Sequence, residues 1–383
     1  GLEKALDAVL SGTGEHSSLV CDVTAQGALR TGETPRLLRA DSGALGVQLT
    51  ISRPVQRAVE AVASTTMQSG CILVLDTATA AVRASVSVPG YDPEHLADSL
   101  QAENSPFLNR VLQSYAVGSV FKPVLAAAAL EAGLQPVFEC TGAVIVDGQI
   151  FRCAGGVPHG QVDLSAALEK SCNGYFIRLG KQLGAEKLLD VAEAFGFGQS
   201  LPLAEGFAAE TGQLPTPREL AQSGQLANFS FGQGSLLAAP LQVAALFNTI
   251  AADGVYRAPY VLQATLDETT GQLVETLSHP RGRRVLPAQS AALLRDMLVQ
   301  VVQQGTAQDA AGLSGGAGGK TGTAQTGQFT PDGTERCNLW FAGFWPAEKP
   351  RYTIVVLQDG AVHTAYSGAA IFAQVCNALE AAG

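Results

Sequence analysis

Ser119 and Lys122 stand three residues apart behind Gly118, at the head of a helix-prone run of small residues from Pro123 to Gly133. On a helix, positions i and i+3 share a face, so the Ser119 hydroxyl and the Lys122 amine are expected to stack one above the other. A serine at a helix N-terminus sits beside free backbone N–H groups and the positive end of the helix dipole. That environment suits an oxygen nucleophile and the oxyanion that forms when it attacks a carbonyl. A neighbouring lysine, partly stripped of water, loses enough of its pKa to act as the base. The tetrad alone also fits a solvated helix start carrying a surface lysine, because short motifs recur by chance.

Two further motifs follow in order: Ser171-Cys172-Asn173 and Lys320-Thr321-Gly322-Thr323. Each by itself fits an ordinary helix end or strand end. The ordered triple resembles the active-site serine signature of penicillin-binding proteins and class A β-lactamases. In that chemistry Ser119 forms an acyl-enzyme and Lys122 takes its proton. Ser171 is expected to relay a proton to the leaving amine, and Asn173 to hold Lys122 and the substrate amide. Lys320 is expected to place a second cation in the cleft, keeping the pKa of Lys122 down and attracting a substrate carboxylate. Thr321 and Thr323 offer hydroxyls to that carboxylate, and Gly322 is expected to let a substrate backbone approach without a Cβ in the way. The N–H groups of Ser119 and Thr323 would form an oxyanion hole, where one donor is worth about 10²–10³ in rate.

The resemblance reaches well beyond the triple. Thr50-Ile51 with Val55-Gln56, Pro89-Gly90-Tyr91-Asp92-Pro93, Asn109-Arg110, Tyr115 to Pro123 and His159-Gly160 belong to it. So do Phe231-Gly232-Gln233-Gly234 with Pro240-Leu241-Gln242, Lys320 to Gln325, and Trp340 to Phe344 before Pro346. Over roughly residues 47–383 the chain resembles the transpeptidase domain of a class B (monofunctional) penicillin-binding protein. One departure is Ala239 before Pro240, where members more often carry Thr. The resemblance implies an α+β fold: a five-stranded antiparallel sheet sandwiched by helices, with an all-helical subdomain. It implies D,D-transpeptidation of peptidoglycan stem peptides ending in D-Ala-D-Ala and covalent inhibition by β-lactams; no cofactor or metal is expected. It also implies an outward-facing, membrane-anchored protein that works with a membrane glycan polymerase. Residues 1–46 are then expected to be the remnant of a non-catalytic N-terminal region whose anchor is not in this sequence.

The elements that must position these motifs are visible as patterns. Val47 to Ile51 is strand-like, and Pro54 to Ser69 has the period of an amphipathic helix. Cys71 to Leu75 and Ala81 to Val88 form a hairpin, and Lys320 to Gln325, Leu339 to Phe344 and Tyr352 to Leu357 form three successive strands. Helices are expected at Tyr175 to Leu183, Ala185 to Phe195, Pro240 to Asp253, Pro287 to Gln304 and Thr364 to Ala382, with Asp163 or Ser165 capping one that leads to Ser171. Strands from both ends of the chain with helices between them indicate one sheet assembled from both termini.

Composition excludes several classes. The chain has 383 residues, 46% hydrophobic and 15% charged, with a formal net charge of -10. That is ample for a large core, and it argues against nucleic acid or an anionic membrane surface as the main partner. The apolar run 236–252 contains Pro240, Gln242 and Asn248, so it reads as a buried helix rather than a membrane span. Seven cysteines look too scattered for a metal site. Cys140 and Cys153 straddle Asp147-Gly148, a hairpin-turn signal, and either form a disulfide or remain two buried thiols. His159 is expected to be a structural loop residue, and Trp340 and Phe344 core or cleft wall.

Rival readings remain. A β-lactamase or D,D-carboxypeptidase could use the same site, but Glu205 and Glu210 do not begin the Glu-x-x-x-Asn pattern that would supply a deacylating base. A non-catalytic β-lactam sensor or scaffold would keep the same residues. Ser314 to Thr321 nearly matches a phosphate-binding loop, but Gly322-Thr323 follows where a helix should begin.

Overall fold

The computed structural model describes residues 1–12, 18–30, 32, 34–38, 43–102, 104–279 and 281–382. Gly27 to Pro35 reads as turn-rich in the sequence, and its positions 31 and 33 lie outside the described residues, as does Pro280. The chain forms two units that interleave along the sequence: 1–50, 202–208 and 261–279 make one, and 51–201, 209–260 and 280–383 make the other.

The smaller unit holds a three-stranded antiparallel sheet, Leu273–Thr276 next to Leu262–Asp267 next to Leu45–Leu49. Its hairpin closes because Asp267 Oδ1 accepts from the N–H groups of Thr269 and Thr270. Leu2, Ala5, Leu6, Val9 and Leu10 have helical spacing, and they fall in two short helices, Leu2–Ala5 and Asp7–Ser11, with Leu6 between them.

The larger unit is built on one five-stranded antiparallel sheet, in the order Gly318–Phe329, Glu335–Trp345, Tyr352–Ala361, Gly70–Asp76, Val82–Val88. Every strand overlaps an apolar or β-branched run in the sequence. The central pair, Tyr352–Ala361 against Gly70–Asp76, joins the two ends of the chain. Both faces are covered. Phe341 packs on Phe372 of helix Gly368–Ala381, ring centroids 4.6 Å apart. Phe344 lies an odd number of residues from Phe341, so it and its cross-strand partner Thr353 occupy the other face. There Thr353 meets helix Pro240–Ala251, all of whose residues are buried. Among the described residues no helix is long and apolar enough to cross a membrane.

That buried helix carries polar groups only where they are answered. Asn248 Nδ2 donates to Thr77 O at 3.3 Å, and its Oδ1 accepts from Thr353 Oγ1 at 3.0 Å. Gln242 Oε1 accepts the N–H of Ala239, and its Nε2 donates to the carbonyls of Gly196, Gln199 and Thr211. Asn248→Leu keeps the branched outline and heavy-atom count but leaves the Thr77 carbonyl unanswered in the core. It is expected to cost about 1–3 kcal/mol, read as a lower urea midpoint with an unchanged slope.

Helices Lys122–Glu131, Leu164–Glu169, Asn173–Leu183, Ala185–Ala194 and Ser223–Phe229 pack together as a helical cluster within this unit. The region is not purely helical. Residues 138–162 insert the hairpin Ala143–Val146/Gln149–Arg152, turned at Asp147 and Gly148 with φ of 47° and 82°. Both central residues at positive φ are what an Asp-Gly type I′ turn requires.

Candidate active site

Ser119 lies in a 3-10 turn, Gly118–Phe121, and Lys122 opens the α-helix that follows. The sequence pattern suggested a single helix start; the tighter turn arises because three backbone segments converge here without side chains between them. Gly118, at φ 65°, donates its N–H to Gly232 O at 2.8 Å. A Cβ on Gly232 would fall 1.9 Å from Gly118 O, and one on Gly118 would fall 2.7 Å from Thr323 O. The segment entering the turn is held by the indole of Trp340, which donates to Ala116 O at 2.9 Å. Trp340 is therefore a buried wall with a polar anchor.

Lys122 is fully buried, in a helix whose first eight residues are all buried. Its amine donates to Ser171 O at 2.7 Å, Ser171 Oγ at 3.0 Å and Asn173 Oδ1 at 2.7 Å. The Ser119 hydroxyl makes no hydrogen bond to any described residue, so the expected Ser119–Lys122 stacking does not extend to a bond in this resting state. Catalytic contacts often close only when substrate arrives. Burial lowers the pKa of Lys122 from 10.5 to about 7. Burial, rather than the second cation expected from sequence, is the main cause.

Lys320 is also fully buried, and its pKa is held well below the ordinary value, first by burial and then by the charge on Lys122. Its amine donates to Thr321 O at 3.1 Å, and Thr321 shares a hydrogen bond with Thr306 at 2.7 Å. The second motif is strained. Ser171 has φ 51°, unusual for a residue with a Cβ, and it is held there by its Lys122 bonds and by the N–H of Cys172, which donates to Ala167 O.

Strand Gly318–Phe329 is the free edge of the sheet, and the 3-10 turn lies against it. Gln233 Nε2 approaches Thr323 O at 3.5 Å from that side. In a strand the N–H and C=O of one residue point the same way, so the Thr323 N–H also faces the edge. Gly322 has a different role from the one expected. A Cβ there would meet Val120 and the Val117 carbonyl at 3.0–3.2 Å, so its bareness admits the nucleophile turn rather than a substrate backbone. Thr321 and Thr323 face the opposite way.

The structure thus joins Lys122, Ser171 and Asn173 by hydrogen bonds, sets Lys320 near Lys122 with the Thr321 hydroxyl beside its amine, and lays Gly322 against the turn that carries Ser119, while the Thr323 side chain lies on the other face of the strand. Gly118 and Gly232 stood in the sequence only as members of motifs, and nothing local showed that their backbones meet. The cysteine reading needs correction. All seven thiols are free, and Cys140 and Cys153 lie 3.7 Å apart, sulfur to sulfur. They are not scattered: Cys140, Cys153, Cys172 and His159 gather their ligand atoms within 4.8 Å of one another. Glu210, considered as a deacylating base, instead accepts the N–H of Ser114 at 2.8 Å.

Comparison with known proteins places this geometry. The penicillin binding protein transpeptidase domain matches residues 70–379. The peptidoglycan D,D-transpeptidase PbpA of Mycolicibacterium smegmatis is 33% identical, over 100% of this chain and 79% of that protein. Penicillin-binding protein A from M. tuberculosis, solved as a penicillin G acyl-enzyme complex, is similar with a TM-score of 0.81 at 26% identity, covering 100% of this chain and 88% of that one. A D,D-transpeptidase domain from Eggerthella lenta gives a TM-score of 0.82 at 26% identity, covering 100% of this chain and 87% of that one. A family model that covers residues 70–379, with a relative 33% identical over the whole chain, means that the chain belongs to the penicillin-binding protein transpeptidase family.

Proposed function

We propose that this protein is a peptidoglycan D,D-transpeptidase that is acylated on Ser119 by stem peptides ending in D-Ala-D-Ala and, as a dead end, by β-lactams. The observation that carries this is the buried Lys122 amine, set beside the nucleophile turn and held by Ser171 and Asn173. An amine with a pKa of about 7 is half free base at neutral pH, which a proton acceptor needs. Ser119 Oγ attacks the penultimate D-Ala carbonyl, Lys122 removes its proton, and Ser171 passes a proton to the departing D-Ala amine. The N–H groups of Ser119 and Thr323 take the oxyanion, and Asn173 orients Lys122. A substrate carboxylate near Lys320 favours that residue's charged form, opposing the effect of burial. Thr321 and Thr323 supply hydroxyls to the same carboxylate.

In this reading residues 47–383 are the transpeptidase domain, and 1–46 belong with a non-catalytic N-terminal region. The protein works on the outer side of a cell membrane, alongside a glycan polymerase that supplies the strands. The test is intact-protein mass after benzylpenicillin, followed over hours, with the modified peptide mapped. One stable adduct on the peptide containing Ser119 is expected. An adduct that vanishes within seconds would instead identify a β-lactamase.

The glycine contact behind the nucleophile gives a separate prediction. Gly232→Ala must push Gly118 O away by more than an ångström to make room. Misplacing a reacting group by ~1 Å costs about 10²-fold, so benzylpenicillin acylation should slow by that much. Gly133→Ala, also at positive φ but with nothing within 4 Å, should leave the rate unchanged.

A further inference from the structure

We propose that Cys140, Cys153, His159 and Cys172 bind a single tetrahedral metal ion, zinc by its chemistry, which locks the loop carrying Ser171 and Asn173. The distances fit such an ion. Cys140 Sγ lies 3.7 Å from Cys153 Sγ and 3.5 Å from His159 Nδ1, and Cys153 Sγ lies 3.9 Å from Cys172 Sγ. Zinc bonds of ~2.3 Å to sulfur and ~2.0–2.1 Å to nitrogen at tetrahedral angles require edges of about 3.8 Å between sulfurs and about 3.6 Å from sulfur to nitrogen. A disulfide would use two of the four groups, bring their sulfurs to about 2.05 Å, and leave the third thiol and the imidazole unused. Three thiolates and one imidazole select zinc over hard cations.

The ligands arrive on four separate pieces of backbone that are already fastened together. Cys140 ends strand Phe138–Cys140, which pairs with Gly160–Val162 so that Gly160 faces Cys140. His159 donates its N–H to Cys140 O at 3.1 Å, and Cys153 donates its own to Gly142 O at 2.9 Å. Cys172 is the N-cap of the 11-residue helix Asn173–Leu183, where its sulfur accepts the N–H of Tyr175 at 3.4 Å. The N–H of Gly174 supports Cys153 in the same way. Such N–H···S bonds hold the two sulfurs in place as outer partners of a ligating atom do. The insertion also lacks a core of its own: its strands are three or four residues long, and Ile145 and Ile150 are exposed. Small units of this kind are commonly stapled by a metal or a disulfide.

The consequence for the cleft follows from position. Cys172 sits between the two residues that take every hydrogen bond of the Lys122 amine. An ion on its sulfur fixes the strained Ser171 from behind, so Cys172 is a positioning residue. This last step rests on the acylation reading above; metal binding does not.

The experiment is elemental analysis of the full protein purified without chelator or metal-affinity resin, with free thiols counted under denaturing conditions. About one zinc per chain is expected. Cys153→Ser and His159→Ala should lose it, while Cys71→Ser and Cys376→Ser should keep it. Should the ligand variants fail to fold, cobalt(II) added to chelator-stripped parent protein serves instead: tetrahedral thiolate ligation gives intense visible bands and a thiolate-to-cobalt charge-transfer band. Metal-free parent that gives no such bands, or parent with a Cys140–Cys153 disulfide, overturns the site. Stripped protein should acylate Ser119 with benzylpenicillin at least ~10-fold more slowly, with recovery on adding zinc. An unchanged rate overturns the positioning role, whereas zinc-loaded parent that never acylates overturns the enzymatic reading instead.

Discussion

Ser119→Ala is expected to abolish covalent β-lactam uptake while leaving the fold intact. The hydroxyl makes no hydrogen bond to any described residue and is not part of the buried core, so its removal takes away no packing and no partner. The thermal midpoint should therefore stay within a degree or two of the parent, since a substitution without such features changes stability little. The chemistry has no substitute. The fully buried Lys122 amine is committed to Ser171 and Asn173, and the Ser171 hydroxyl is held by that same amine. Intact mass after benzylpenicillin should show parent mass only, and stem-peptide transfer should fall to background. An adduct persisting on the variant would mean that another side chain is the nucleophile, and the whole assignment of roles would collapse.

The second large effect concerns Lys122. Lys122→Arg preserves donors toward the 171–173 loop but never gives up its proton, and Lys122→Met removes the amine. Both should slow acylation by about 10²–10⁴, the usual contribution of a positioned base. The pH dependence separates base from structural donor. The active form is the free amine, and its pKa is about 7. Below that pH the parent's acylation rate should fall about tenfold per unit, and above roughly pH 8 it should level off. Neither variant should show this rise. Stability follows the same sign. The folded state binds this proton less readily than the unfolded chain, so Lys122 costs more stability as pH falls from 10.5 toward 7, and the cost is constant below that. A rate independent of pH between 6 and 8 would remove Lys122 as the base.

Much of this molecule was legible because the inner strands of its sheet are apolar, β-branched runs buried on both sides. Cys71 to Leu75 and Tyr352 to Leu357 could hardly be anything else. The helix Pro240–Ala251 was equally plain, and so was the Asp147-Gly148 turn. What local patterns could not carry was anything made by convergence. Gly322 looked like an opening for substrate because its neighbour across space, Val120, is far away in sequence. The four metal-binding candidates have no CxxC spacing, since strand pairing at Gly160 and a helix cap at Cys172, not chain proximity, bring them together. Strands Leu262–Asp267 and Leu273–Thr276 were missed because their signals are short: the first alternates over only three apolar positions, and the second is exposed along its whole length. Burial as the cause of the low Lys122 pKa was similarly invisible, because it depends on everything packed around that helix.

The pairing of Tyr352–Ala361 with Gly70–Asp76 sets a clock on the birth of the protein. When the ribosome has made the nucleophile turn and its lysine, the three strands that complete the sheet have not yet been synthesised. The hairpin of Gly70–Asp76 and Val82–Val88 must wait, one apolar edge bare, for nearly the whole remaining chain. Contacts so distant in sequence close slowly, and a waiting edge is open to pairing with other chains. A chain cut short before Tyr352 would therefore carry Ser119 and Lys122 and still have no cleft to put them in.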